Sequence, residues 1–230
     1  MILVQKFPFL QVDIKSIPMK RCKQDAEKTK LQLIDAACEV FYREGVARAT
    51  LEQIAREAGV TRGALYWHFN NKVDILDALF QETMPSIEAL QGRLVGLQAD
   101  DFWLGLEQHY IHVLHRLETE ERFRKFCTVM HLKCEQTQSN AQVVDLLKQY
   151  RHTWIQVTQN IVAEAVASTA LPAQTDVILT TKLLCSLLVG IMVAYLGEVE
   201  EKKDVSKVVS PEPMLTHMLR LMRQSPMLKN

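Results

Sequence analysis

Apolar positions recur at helical spacing along most of the chain, and no stretch sustains the alternation of a strand. Ile34, Ala37, Cys38 and Phe41 form the first stripe, with Gly45 placed to stop it. Leu51, Ile54, Ala55 and Ala58 form a shorter one, opened by a Thr50/Gln53 capping box and closed by Gly59. Thr61 can cap a third short helix carrying Ala64, Leu65 and Phe69, and Asn71 a longer one through Val73, Leu76, Leu79 and Phe80. Beyond residue 100 the stripes lengthen. Phe102, Leu106, Val113 and Leu117 mark one helix, and Phe123, Phe126, Met130 and Cys134 the next. Val143 through Ala165 sustain the longest, which Leu171-Pro172 breaks. A very apolar helix follows at 177–196, then a charged loop from Glu198 to Pro213, then an amphipathic helix at 212–224. The pattern predicts an all-α chain of about nine helices without internal repeats. It divides into an arm at 1–26 expected to be disordered, a helix-turn-helix at 27–72, and a ligand-binding and dimerisation domain at 73–230. The helix opening near Asn71 should carry the chain across that boundary, close to residue 85.

Leu183 to Leu196 is the one stretch that resembles a membrane span. Its fourteen residues fall short of the roughly 20 that a bilayer requires, so a helix buried on all sides is expected and no membrane partner.

Composition changes this picture little. The chain has 230 residues, 48% of them apolar, with 27 basic and 27 acidic side chains. A net charge of zero does not exclude nucleic acid, because binding depends on a local basic footprint. Cysteines 22, 38, 127, 134 and 185 form no C-x-x-C pair, which favours a reducing cytoplasm. Met1 to Pro18 has no clean signal-peptide pattern; it reads as a mobile arm or as residues ahead of a start at Met19. No glycine-rich phosphate loop, H-E-x-x-H or nucleophile elbow supports an enzyme, and nothing calls for a cofactor.

Two short helices joined by a tight glycine turn have helix-turn-helix proportions. The second reads Thr61-Arg62-Gly63-Ala64-Leu65-Tyr66-Trp67-His68-Phe69. A hydroxyl, a guanidinium and a glycine at its N-terminal end suit phosphates and base edges. Thr50 and Thr61 could equally be helix caps alone, and Tyr66 a packing residue. Lys20, Arg21, Lys23, Lys28 and Lys30 form a basic segment that either lies in solvent or adds salt-dependent DNA affinity.

Ile34-x-x-Ala37-x-x-x-Phe41-x-x-x-Gly45, followed by Thr50-Leu51-x-x-Ile54-Ala55-x-x-Ala58-Gly59-Val60-Thr61-x-Gly63-x-Leu65-Tyr66-x-His68-Phe69-x-x-Lys72, resembles the DNA-binding domain of the TetR family. Thr119-Glu120-Glu121-Arg122, His131-x-Lys133-Cys134-Glu135 and Leu171-Pro172-Ala173 are similar to stretches in the AcrR-type multidrug-efflux repressors of that family. The resemblance implies a homodimer that represses a nearby promoter and leaves its palindromic double-stranded operator when a small molecule binds. Carried over by motif position, it places Thr50, Thr61, Lys72, Tyr66, Trp67 and His68 at phosphates and Arg62 and Gly63 nearest the bases. An arginine can pair bidentately with guanine, so Arg62 is the expected reader.

A pocket for a small hydrophobic or amphipathic effector needs apolar, aromatic and adaptable walls. Trp103, Phe123, Phe126, Met130, Trp154, Cys185 and Met192 are the candidates, with plain core as the alternative for each. Glu82, Glu88 and Glu107 would favour cations if they point inward. The effector would tilt the helix from Asn71, with Pro85 as a hinge, and change a recognition-helix spacing of about 34–36 Å. The dimer face should combine 177–196 with 212–224. A second reading keeps the fold but senses thiol oxidation or metal through Cys127, Cys134 and His131, with Glu135 nearby. His109, His112 and His115 diverge too far around a helix to meet one metal. A third makes the chain an enzyme or helical interaction protein that keeps an unused helix-turn-helix.

Overall fold

The computed structural model describes residues 17–84, 96–134 and 140–228, together with Gly92 and Leu94. Pro85, Glu88 and Glu135 lie outside the described residues. Within them the chain is helical and contains no strand. The helices are α1 (Ile17–Glu44), α2 (Leu51–Glu57), α3 (Arg62–His68), α4 (Lys72–Thr83), α5 (Ala99–Thr119), α6 (Glu121–Leu132), α7 (Ala141–Ala167), α8 (Val177–Lys202) and α9 (Glu212–Gln224).

The N-terminal half follows its local signals. Gly45 and Gly59, at φ +79° and +66°, turn the chain out of α1 and α2 through the left-handed region that side chains with a Cβ disfavour. Thr50 Oγ1 accepts the Gln53 N–H at 3.2 Å, while Gln53 Oε1 accepts the Thr50 N–H at 2.8 Å, completing the capping box. Asn71 caps α4 through the Asp74 N–H at 3.0 Å. Ile54, Leu65, Phe69 and Leu76 close a core with Phe41 of α1. Burying Leu65 alone stabilises by about 1.5–3 kcal/mol, which fixes the short α3 despite its low intrinsic stability.

Four expectations are corrected. The first helix begins at Ile17, inside the segment expected to be disordered; Lys, Gln, Glu and Ala at 20–30 are good helix formers, with no glycine or proline among them. α8 runs on to Lys202, so Glu198–Lys202 is its polar last turns and not loop; a left-handed Lys203, φ +54°, ends it. α6 ends at Leu132, so Cys134 does not continue the face that carries Cys127. The fourth concerns burial of α8. By length and composition it is the one described helix able to cross a membrane, yet it packs on α6, α7 and α9. Leu184, Leu188, Ile191, Met192, Tyr195 and Leu196 are buried, while Ile178, Leu179 and Val189 are exposed. Among the described residues no further element covers the other side of the helix.

Candidate nucleic-acid interface and its link to the helical half

The capped helices α2 and α3 present a rigid outer face. Thr61 Oγ1 accepts the Ala64 N–H at 3.1 Å, so both threonines singled out by sequence serve as caps. Tyr66 and Trp67 turn outward, with Trp67 73% exposed. A large indole left mostly in water is unusual. His68 packs edge-on to the Trp67 ring at 4.6 Å. Burial, with Lys30 nearby, holds the imidazole below its ordinary pKa, so it is mostly neutral near pH 7. A Cβ at Gly63 would meet nothing in the chain closer than Thr61 Oγ1 at 3.8 Å. The fold therefore does not require a glycine there. Arg62 is exposed and pairs with Glu52, Nη1 to Oε1 at 2.9 Å.

Lys72 is placed differently from its neighbours. Its ammonium donates to the carbonyls of Val46 and Ala47, both at 2.9 Å, and burial lowers its pKa. Two of its three donors close the turn after α1, a structural task of which local spacing gives no sign. Replacing Thr61 with alanine removes one cap and is expected to lower stability by about 1 kcal/mol, read as a reduced denaturant midpoint at unchanged m. No change would mean that another group caps α3.

A polar network that the sequence does not announce ties this unit to the helical half. Tyr42, on α1, donates its hydroxyl to Glu200 at the end of α8. Lys133, just past α6, reaches Glu200 at 3.1 Å and the Tyr42 carbonyl at 3.0 Å, and lies over the Tyr42 ring at 3.9 Å. Lys125–Glu39 and Arg122–Asp35, each at 2.8 Å, extend the seam between α1 and α6. Burial and the Glu200 bond push the Tyr42 phenol up to about 12. Burial also pushes the Glu200 carboxyl up, but the bonds from Tyr42 and Lys133 outweigh it and hold the group below the ordinary range. Glu200→Gln is expected to cost about 1–2 kcal/mol, since a mostly buried charge-assisted pair is lost. Thermal melting should fall by roughly 2–8 °C; an unchanged midpoint would reduce the network to surface decoration.

The expected pocket residues do not share one surroundings. Phe123 and Phe126 are wholly buried on α6. Phe126 meets Phe80 edge-to-face at 4.9 Å, and Phe80 stacks on Tyr150 at 3.9 Å. Cys185 lies beside Trp154 and Thr158, linking α8 to α7. Met130 and Trp154 pack against the core half-buried, and Met192 is buried in it. Trp103 stands apart, in a small crevice with Leu171, Thr175, Thr180, Met222 and Met227. Glu82 is exposed and Glu107 partly so.

The structure does not favour the thiol reading at Cys127. Burial pushes the Cys127 thiol far above its ordinary range and Cys38 up to about 12, which disfavours the reactive thiolate. Among the described residues, no three His, Cys, Asp or Glu side chains are grouped to hold a metal ion.

A family model of bacterial regulatory proteins, the tetR family, matches residues 33–79. The transcriptional regulator TtgR of Pseudomonas putida is 36% identical over 125 residues, 54% of this chain and 60% of that protein. The match thus spans less than two thirds of that relative's length. SrpR of Pseudomonas putida is 28% identical over 189 residues, 82% of this chain and 85% of its own. The crystal structure of NalD, the secondary repressor of the MexAB-OprM multidrug efflux pump in Pseudomonas aeruginosa, superposes with a TM-score of 0.71 at 26% identity, covering 87% of this chain and 96% of NalD. The match at 33–79 makes the segment with the capped helix-turn-helix similar to the DNA-binding domain of the tetR family of bacterial regulatory proteins, and the described chain as a whole is similar in fold to NalD.

Proposed function

We propose that the protein is a cytoplasmic, dimeric transcriptional repressor that binds a palindromic operator through α3 and leaves it when a small hydrophobic or amphipathic molecule enters the helical half. The observation that carries this reading is the outer face of α3. Arg62, Tyr66 and Trp67 stand in solvent on a capped helix whose glycine the fold itself does not demand. Such a face suits close approach to a DNA backbone, with Arg62 at a guanine and Thr50, Thr61, Tyr66, Trp67 and His68 at phosphates. Lys72, with two donors committed, contributes at most a third to DNA.

The apolar residues left uncovered on α8 and α9, among them Ile178, Leu179, Val189, Met214 and Leu221, form the face on which two copies would pack as a four-helix bundle. The effector would lodge among α6, α7 and α8, near Met130, Trp154, Cys185 and Met192. Control of a multidrug efflux operon follows by analogy with NalD, and the function is regulatory, not catalytic.

The test is fluorescence anisotropy of the purified protein on its own upstream DNA at fixed salt, with and without cationic and aromatic drugs. Tight, sequence-specific binding abolished by a drug is expected. Binding that no drug touches would remove the effector half of the proposal, and no specific binding would remove the whole. Sedimentation as a monomer at micromolar concentration would exclude the dimer.

A further inference from the structure

Glu52 is an acidic side chain beside a surface proposed to meet polyanionic DNA. It lies in the first turn of α2, is half exposed, and takes Nη1 of Arg62 at 2.9 Å. Arg62 is the first residue of α3, an unfavourable place for a cation next to unpaired helix N–H groups. Its guanidinium also lies toward the Tyr66 ring, 5.8 Å from the centroid. The carboxylate and the ring therefore restrain the head group from two sides. With Nη1 engaged by Glu52, the Nε–Nη2 edge remains for an outside acceptor pair.

Resting on the DNA-binding reading above, we propose that Glu52 is a specificity-determining positioning residue, which holds Arg62 for bidentate pairing with guanine and bars it from the phosphate backbone. The free edge presents two parallel donors, the geometry that guanine N7 and O6 accept together. A phosphate can accept the same two donors, so geometry alone does not exclude it, but it carries a negative charge. To bind the same guanidinium it must approach Glu52, and the two anions repel. Exchanging a carboxylate for a phosphate is of little benefit, whereas guanine carries no net charge and leaves Glu52 in place. Glu52 thus weakens binding to arbitrary DNA more than binding to the operator, and specificity is that difference.

The test can be run without a known operator sequence. Duplexes with a randomised centre of about 26 base pairs, enough for two half-sites one helical turn apart with flanks, are selected against the wild-type protein and against Glu52→Gln, which keeps the shape and removes the charge. The selected motifs are sequenced, and affinity for unselected pool DNA is measured across salt concentrations. The wild type should prefer guanine at one position in each half-site. Glu52→Gln should relax that preference about 3- to 10-fold and bind pool DNA several-fold more tightly. Its salt dependence on pool DNA should steepen by about one unit of log–log slope per subunit, as expected when each subunit neutralises one more phosphate. Arg62→Ala should abolish the guanine preference in both backgrounds. An unchanged motif and salt slope in Glu52→Gln, with melting unaltered, overturns the role of Glu52 alone. A wild type that enriches no sequence overturns the DNA-binding reading and this proposal with it.

Discussion

Phe126→Ala is expected to lower stability by about 3–5 kcal/mol, the range for truncating a fully buried phenyl group. Only 2% of Phe126 is exposed, and its ring meets Phe80 of α4 edge-to-face. Phe80 in turn stacks flat on Tyr150 of α7, whose hydroxyl donates to Asp77 back on α4. One aromatic stack therefore fastens α4 to α6 on one side and to α7 on the other. At about 2–4 °C per kcal/mol for a chain of this size, thermal melting should fall by roughly 6–20 °C. The measurement also separates two readings of the residue. A phenyl group lining an open effector cavity is already partly without packing partners, and its loss would cost under about 1 kcal/mol, well below the range for a packed site. A large fall assigns Phe126 to the packed core and leaves the effector to the Met130, Trp154 and Cys185 side. Benzene added to the variant should then recover part of the lost melting temperature, by filling the space left in an apolar site.

What the chain discloses by itself is local. The start of α2 and of α3 is written in four consecutive residues each: a hydroxyl that accepts from an N–H three positions on, and for α2 a glutamine that reaches back. Gly45 and Gly59 are legible as stops because a positive φ is met most easily by glycine. The outer face of α3 is legible because Leu65 and the following Phe69 take the core positions and leave the others no core to enter. The link between the two halves is not. Tyr42 and Glu200 lie 158 positions apart, and nothing near either distinguishes a glutamate that meets a tyrosine from one that meets water. A lysine that opens its helix against the dipole suggests a phosphate contact, yet the two carbonyls that Lys72 serves, of Val46 and Ala47, lie 26 and 25 residues upstream. Residue type groups Trp103 with the pocket, while α5 carries it to a cleft formed with α9 and the final residues. α8 shows the same limit from the other side. Its composition is apolar all round, so periodicity cannot say that only one side is covered within the chain.

Arg62→Ala is expected to weaken operator binding more than any other single change on α3. A good bidentate arginine–guanine pair contributes about 1–3 kcal/mol of discrimination. A dimer on a palindrome uses the residue twice, so the loss is about 2–6 kcal/mol, roughly 30-fold to more than 10⁴-fold in Kd. Stability should barely move. The Arg62–Glu52 pair leaves 63% and 51% of its two side chains exposed, and a pair that open contributes at most about 0.2–1 kcal/mol. That contrast makes the variant informative, because a fall in binding cannot then be a fall in folded protein. Arg62→Lys sharpens it further. Lysine keeps the charge but presents a point donor in place of a planar fork, so it should retain non-specific affinity and lose discrimination. Anisotropy on operator and on scrambled duplex, at one salt concentration, reads both quantities. If the alanine variant loses affinity equally on the two duplexes, Arg62 is a phosphate contact and base reading must lie elsewhere on α3. If it loses only on the operator while the lysine variant behaves like alanine there, the guanidinium fork reads the base, and the helix whose caps are visible in the bare sequence carries the specificity as well as the shape.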